Sequence, residues 1–154
     1  MEIKEIKVGT DYFFEVCDFV EENINRENLS ENGGTLNYSN LTYNSDILFI
    51  AFDKGIPVGY NSIVRYDGGL YIYQIAVKKE YQNKKIGTSM LRKAVEIADE
   101  ENSFLTAHVM NYNSVSQKMF LNLGFKKISE DPKTGNGFYA LNQRRKKYRQ
   151  RRGK

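Results

Sequence analysis

Apolar and polar positions alternate weakly over residues 2–8, with Ile3, Ile6 and Val8 as the apolar members, which predicts a short edge strand. Thr10 and Asp11 then offer a cap and a first-turn acid. Phe13, Val16, Cys17, Val20 and Ile24 follow at steps of three and four, so a helix should run to about Asn25 with these side chains inward. The pattern breaks over residues 26–46, rich in Asn, Ser, Gly and Glu around Gly33 and Gly34. That is a long polar connection with room for one short helix, and loops of this length usually carry function or move. A continuous apolar run at residues 47–53 reads as a buried strand, Lys54-Gly55-Ile56-Pro57 as a turn, and residues 58–66 as the returning strand. Asp67-Gly68-Gly69 turns the chain again into a strand over residues 70–77.

The period then changes. From about Ile86, an apolar face of Met90, Leu91, Ala94, Ile97 and Ala98 opposes Arg92, Lys93, Glu96, Asp99 and Glu100, which predicts an amphipathic helix. Residues 104–110 read as a strand, and residues 114–123 as a helix with Val115, Met119 and Leu123 in register, closed by Gly124. Two last strands, residues 125–129 and 138–142, flank the turn Asp131-Pro132-Lys133-Thr134-Gly135. Strands, then helices interleaved with strands, predict a mixed sheet with helices packed on it, α+β or α/β.

The length of 154 residues leaves room for one domain, which we place at residues 1–142. Net charge is +4, but eight basic residues and no acid fall in residues 143–154. Without them the body holds 15 basic and 19 acidic side chains, a net −4. Residues 144–154 contain no aliphatic side chain, so this tail should stay disordered, either as a solvated appendage or as a docking arm for RNA, a ribosome or DNA. One cysteine, Cys17, forms no internal disulfide, which suits a reducing cytoplasm. One Cys and one His, His108, fall short of an ordinary Cys/His zinc site. The longest apolar run, residues 47–52, is far below the roughly 20 residues of a membrane span. The charged start Met1-Glu2-Ile3-Lys4-Glu5 does not read as a signal peptide.

Chemistry concentrates at the junction between the strand at 70–77 and the helix from Ile86. A helix start presents unpaired N–H groups and a positive dipole end, which suits a pyrophosphate. Lys78, Lys79, Lys84 and Lys85 add charge, and Gly87 removes a side chain where backbone must approach a ligand. The same features also describe a solvated basic loop. This stretch resembles the cofactor-binding motif of the GNAT acetyltransferase superfamily: Arg or Gln, two residues, Gly or Ala, any residue, Gly or Ala. Gln82 and Gly87 match its ends, Ile86 is the aliphatic between the small residues, and Val77 stands five residues before Gln82; Lys85 departs from the first small residue. Val109, Asn113 and Gly124-Phe125 match the family's second pattern.

The resemblance implies a seven-stranded, mostly antiparallel mixed sheet flanked by helices, with splayed fourth and fifth strands, here residues 70–77 and 104–110. It implies acetyl-CoA as co-substrate and a primary amine as acceptor, with direct attack and no metal. Backbone groups of Ile75 and Val77 would hold the pantetheine arm and thioester. The pyrophosphate would meet backbone N–H groups of Gln82, Asn83, Lys84, Lys85, Ile86, Gly87 and Thr88, and Asn113 would meet the pantetheine or adenosine. The usual proton-transfer residues are missing. Tyr73 stands where many members place a Glu, and Phe120 where many place a Tyr. His108 and Tyr73 are the remaining candidates, His108 because its intrinsic pKa suits a base. Cys17, in a core stripe, is expected to be a packed thiol. Two other readings stay open: a GNAT-fold module that binds CoA without turnover, and a nucleic-acid-associated protein docking through its tail. Glu21, Glu22, Glu27, Glu31 and Asp46, with the acidic body, suit a cationic acceptor such as a polyamine, an aminoglycoside or a basic peptide, though an acidic solvated face reads the same way. Oligomeric state is open.

Overall fold

The computed structural model describes residues 1–25 and 41–142, in which the apolar pattern resolves into seven strands and four α-helices. They are β1 (Glu2–Ile6), α1 (Asp11–Val20), α2 (Leu41–Asn44), β2 (Ile47–Asp53), β3 (Ile56–Tyr66), β4 (Gly69–Val77), α3 (Ile86–Glu100), β5 (Phe104–Val109), α4 (Ser114–Asn122), β6 (Lys126–Glu130) and β7 (Gly137–Asn142). The strands form one mixed sheet in the order β1-β2-β3-β4-β5-β7-β6. The β1–β2, β2–β3, β5–β7 and β6–β7 pairs are antiparallel, and β4–β5 is parallel. The expected fold class is therefore present. The basic tail and most of the polar connection, including Glu27 and Glu31, lie outside the described residues.

Contacts group the chain into two units: residues 1–64 with 73–93, and residues 65–72 with those from 94 onward. In the first unit, the α1 stripe is buried as its spacing requires. Phe13, Val16, Cys17, Val20 and Ile24 pack with Ile6, Leu41, Leu48, Ile50, Phe52 and Tyr60. Each such large apolar side chain contributes about 1.5–3 kcal/mol of burial. Thr10 caps α1 as expected, its hydroxyl oxygen accepting from Phe13 N at 3.1 Å. A second cluster joins α3 to the sheet through Ala51, Val58, Ile86 and Met90. Gly59 permits that approach: a Cβ there would lie 3.0 Å from Met90 Cε and 3.3 Å from Ala76 O.

Several boundaries differ from the sequence reading for local reasons. β1 stops at Ile6 rather than Val8, because Thr10 Oγ1 donates to Lys7 O and the chain turns there. The helix over residues 11–25 is α-helical only to Val20, and Glu21–Asn25 form a wider π-turn. There Glu21 accepts from Leu41 N at 2.9 Å, and burial pushes its carboxyl up. The turn after β2 is only Lys54 and Gly55, both left-handed (φ 51° and 80°), because Asp53 already pairs with Ile56. Two successive positive φ values match the right-handed twist of the hairpin they join. A register shift between Ala51 and Phe52 then lets Pro57 enter β3.

In the second unit, the β4–β5 ladder joins Gly69 with Phe104 through Ile72 with Ala107. β4 itself continues to Val77, within the first unit. β5 pairs along its whole length with β7, from Phe104–Asn142 to Val109–Gly137. Phe120 of α4 is buried, meeting Phe125 edge-on at 4.9 Å and Tyr139 at 6.1 Å.

Candidate functional site

The β4–α3 junction lies wholly in the first unit, and its loop is tightly built. Lys78 N–H donates to Val58 O at 2.8 Å, which continues the strand. A single 3-10 turn, Lys79–Tyr81, follows. The Gln82 side chain then folds back, its Nε2 donating to Val77 O at 3.0 Å. This closes the loop across the four residues between the two motif positions. The Tyr81 hydroxyl donates to Asp53 Oδ2 at 2.7 Å, tying the loop to the β2–β3 hairpin, and this bond pushes the phenol above its ordinary range. Lys84 Nζ lies 5.3 Å from the centre of the Tyr81 ring, a cation–π contact.

Two non-glycine residues here are left-handed, Asn83 (φ 64°) and Lys85 (φ 65°). Asn tolerates this region better than most residues. Lys85 does not, at a cost of roughly 1–2 kcal/mol. A glycine in the resembled motif at this position thus has a physical reason, and this chain makes the same turn with a lysine. Gly87 is not left-handed, so backbone freedom is not the reason for glycine there.

The turn delivers the start of α3. Lys85 O accepts from Ser89 N and Ser89 Oγ, both at 3.0 Å, so Lys85 stands at the cap and Ile86, Gly87 and Thr88 form the first turn. Their N–H groups have no acceptor within a helix. No acidic residue stands in that turn to neutralise the dipole. Gln82, Asn83, Lys84 and Lys85 are exposed, and Gly87 and Thr88 are partly so. A partly exposed helix start with free N–H groups, nearby lysines and no acid fits a phosphate group. Ile75 and Val77 are half-buried against the Ala51, Val58, Ile86 and Met90 cluster.

The other expected site residues lie apart from this loop in their roles. Asn113 caps α4, its Oδ1 accepting from Ser116 N at 3.0 Å, an attachment not foreseen. Tyr73 is partly buried and packs against the α1 core cluster. His108 is exposed on β5, its Nδ1 hydrogen-bonded to the Tyr71 hydroxyl at 3.0 Å. Its ring lies 5.7 Å from Tyr71 and 5.0 Å from Phe138. Cys17 is fully buried, and burial, partly offset by a hydrogen bond from Thr42, pushes its thiol up to about 11. A thiol held neutral in a core is inert, as expected from its stripe. Sequence reasoning missed the Gln82–Val77, Tyr81–Asp53 and Lys84–Tyr81 contacts. Tyr81, an aromatic inside a lysine-rich loop, was the available signal for the last two.

The comparisons with known proteins agree with this frame. The family model described as the acetyltransferase (GNAT) family matches residues 13–125. No curated protein sequence matches the chain. A GNAT-family acetyltransferase from Staphylococcus aureus Mu50 shares the fold at a TM-score of 0.71 and 21% identity, covering 92% of this chain and 99% of that one. The PaiA N-acetyltransferase of Thermoplasma acidophilum, solved in complex with coenzyme A, gives 0.70 at 19% identity, over 92% and 99% of the two chains. The ribosomal-protein-S18-alanine N-acetyltransferase of Escherichia coli gives 0.64 at 13% identity, over 91% and 93%. A family model that spans most of the chain, on a sheet of the expected topology with the expected loop at its β4–α3 turn, shows that this protein belongs to the acetyltransferase (GNAT) family.

Proposed function

We propose that this protein transfers an acetyl group from acetyl-CoA to a primary amine, and that the β4–α3 loop holds the CoA pyrophosphate. The observation that carries the proposal is the partly exposed, acid-free first turn of α3, set by left-handed Asn83 and Lys85 and locked by Gln82 on Val77. The N–H groups of Ile86, Gly87 and Thr88 meet the phosphates, and those of Asn83, Lys84 and Lys85 add donors; the Gln82 N–H, expected among them, is already spent on Lys79 O at 3.2 Å, so Gln82 serves through its side chain on Val77. Backbone groups of Ile75 and Val77 line the arm of the cofactor along the part of β4 that continues past the β5 ladder. Asn113, with its carbonyl engaged at the α4 cap, keeps its amide group for the cofactor's pantetheine or adenosine side. The co-substrate supplies a thioester whose carbonyl an amine can attack and whose thiolate can leave.

The chain's own contribution is positioning. Holding two reactants in attack geometry supplies roughly 7–11 kcal/mol of barrier lowering. A side-chain acid or base contributes typically about 10²–10⁴-fold, and here none is assigned. Phe120 carries no phenol and is buried between Phe125 and Tyr139. Tyr73 packs against a core, and the His108 ring is engaged by Tyr71 and Phe138. Water takes the proton that an amine of pKa about 10.4 must lose before attack. His108→Gln therefore leaves the pH–rate profile in place, and a lost or shifted limb would assign His108 as the base.

The acidic body, net −4 without its tail, favours a cationic amine as acceptor. PaiA and the ribosomal-protein acetyltransferase show that the fold serves N-acetyl transfer in other proteins. A screen of amines with acetyl-CoA, read by thiol release, tests the assignment. Polyamines and basic peptides should release thiol faster than neutral amines of similar basicity. Absence of release with every amine, from a protein that binds acetyl-CoA, would overturn it.

A further inference from the structure

Opposite its buried stripe of Phe13, Val16, Cys17 and Val20, α1 carries a charged ridge. Asp11, Glu15, Asp18 and Glu22 are exposed there, at steps of four, three and four along the helix and the π-turn that extends it. At 1.5 Å per residue the ridge is about 16 Å long. Residues 9–25 contain no Lys, Arg or His. Among the described residues, Asp11, Glu15 and Asp18 form no ion pair. Like charges three and four residues apart repel, and acids near a helix C-terminus oppose its dipole. The ridge therefore works against the helix that carries it.

Aromatic rings flank the ridge. Tyr12 is 51% exposed and Phe19 40%, and their step of seven puts them on one flank. Phe14, 43% exposed, stands on the other, edge-on to buried Phe13 at 5.5 Å. A solvated acidic helix has no need of three exposed rings, and an ordinary apolar contact has no need of four acids. Together they match Lys and Arg side chains. The charged head meets a carboxylate, and the stem or guanidinium plane lies on a ring. An extended peptide advances about 6.6 Å every two residues, near the roughly 4.5–6 Å between successive acids, so basic residues at alternate positions track the ridge. α1 also packs on the cluster that holds Tyr73 and Ala76 of β4, the stretch proposed to carry the cofactor's arm. A helix with its side chains is about 10–12 Å thick, which three or four extended residues span.

We propose that the outward face of α1 docks an Arg- and Lys-rich peptide, and that this peptide is part of the amine acceptor, a step that rests on the acetyl-transfer reading. Docking is tested without acetyl-CoA, by fluorescence anisotropy of the full chain with a labelled peptide that alternates Lys or Arg with Ala, and with an acidic control peptide. Wild type should bind the basic peptide, more weakly as salt rises, and not the acidic one. Tyr12→Ser with Phe19→Ser should weaken binding by about 5- to 30-fold, the worth of two exposed cation–ring contacts. Glu15→Gln with Asp18→Asn should weaken it by about 2- to 30-fold, the worth of two surface ion pairs. All four positions are exposed, and a melting transition no lower than that of wild type verifies the fold. Thiol release then reads the acceptor step. The ring variant should raise KM for the peptide by a similar factor at unchanged kcat, and leave a short diamine unaffected. Binding that ignores the rings would overturn the docking surface, because an acid ridge alone takes any polycation. So would no binding, or a dimer that the ring variant dissolves. Docking with no thiol release from any amine would refute the acceptor step together with the acetyl-transfer reading. Release whose KM ignores the ring variant would refute the acceptor step alone.

Discussion

Lys85 is the residue at which this chain departs from its family's motif, and the departure has a measurable cost. Its φ of 65° is one that glycine adopts freely and lysine does not. Lys85→Gly should raise stability by about 1 kcal/mol, read as a higher denaturant midpoint with an unchanged slope. Acetyl-CoA affinity should hold within a few-fold, because the proposed contacts use main-chain N–H groups. The departure was visible in the sequence, but its conformation was not, since nothing local marks a lysine as left-handed. Cys17 was legible in full, because four apolar neighbours at helical spacing fixed its burial. Burial, the main cause, raises its folded pKa from 9.0 to about 11. A raised acid pKa favours the neutral form, so this contribution to stability is complete below pH 9.0 and is lost as pH rises through about 11. Cys17→Ala should therefore flatten the fall in stability between those values, measured by urea unfolding at each pH.

At the scale of elements, the strand–turn–helix junction was legible because its period changes from two to 3.6 across it. Its internal locks were not, because Gln82 to Val77 and Tyr81 to Asp53 are contacts that only the folded loop brings together. Those locks position the first turn of α3. Gln82→Ala and Tyr81→Phe should each weaken acetyl-CoA binding by up to about tenfold, the worth of one hydrogen bond. A titration calorimeter reads this, and an unchanged melting transition separates loss of positioning from loss of fold. The α4 start behaves differently. Asn113 caps its helix, so Asn113→Ala should cost about 0.5–2 kcal/mol of stability as well as any cofactor contact. The edges of β1, β3 and the helix over residues 11–25 were misread where a turn or π-turn overrides the apolar pattern, as Thr10 on Lys7 and Glu21 on Leu41 do.

The whole chain divides its charge between an acidic body and a basic tail. The charge split was plain in the sequence, and so was the mixed sheet, because each strand had its own apolar run and turn. The ring cluster of Tyr71, His108 and Phe138 was not, because the three come from three strands and meet only through register. Truncation after Asn142 should leave acetyl-CoA affinity unchanged, since the proposed cofactor contacts end at Asn113. The measurement that tests the central claim most directly is calorimetry of acetyl-CoA on wild-type protein and Gly87→Glu. Wild type should bind at micromolar affinity or tighter, about −8 kcal/mol. Gly87→Glu places a carboxylate at the free N–H groups of α3, where it competes with the pyrophosphate for the same donors. Affinity should fall by at least about 100-fold, some 2.8 kcal/mol, while the protein stays folded. A folded Gly87→Glu protein that binds acetyl-CoA as tightly as wild type would contradict the account.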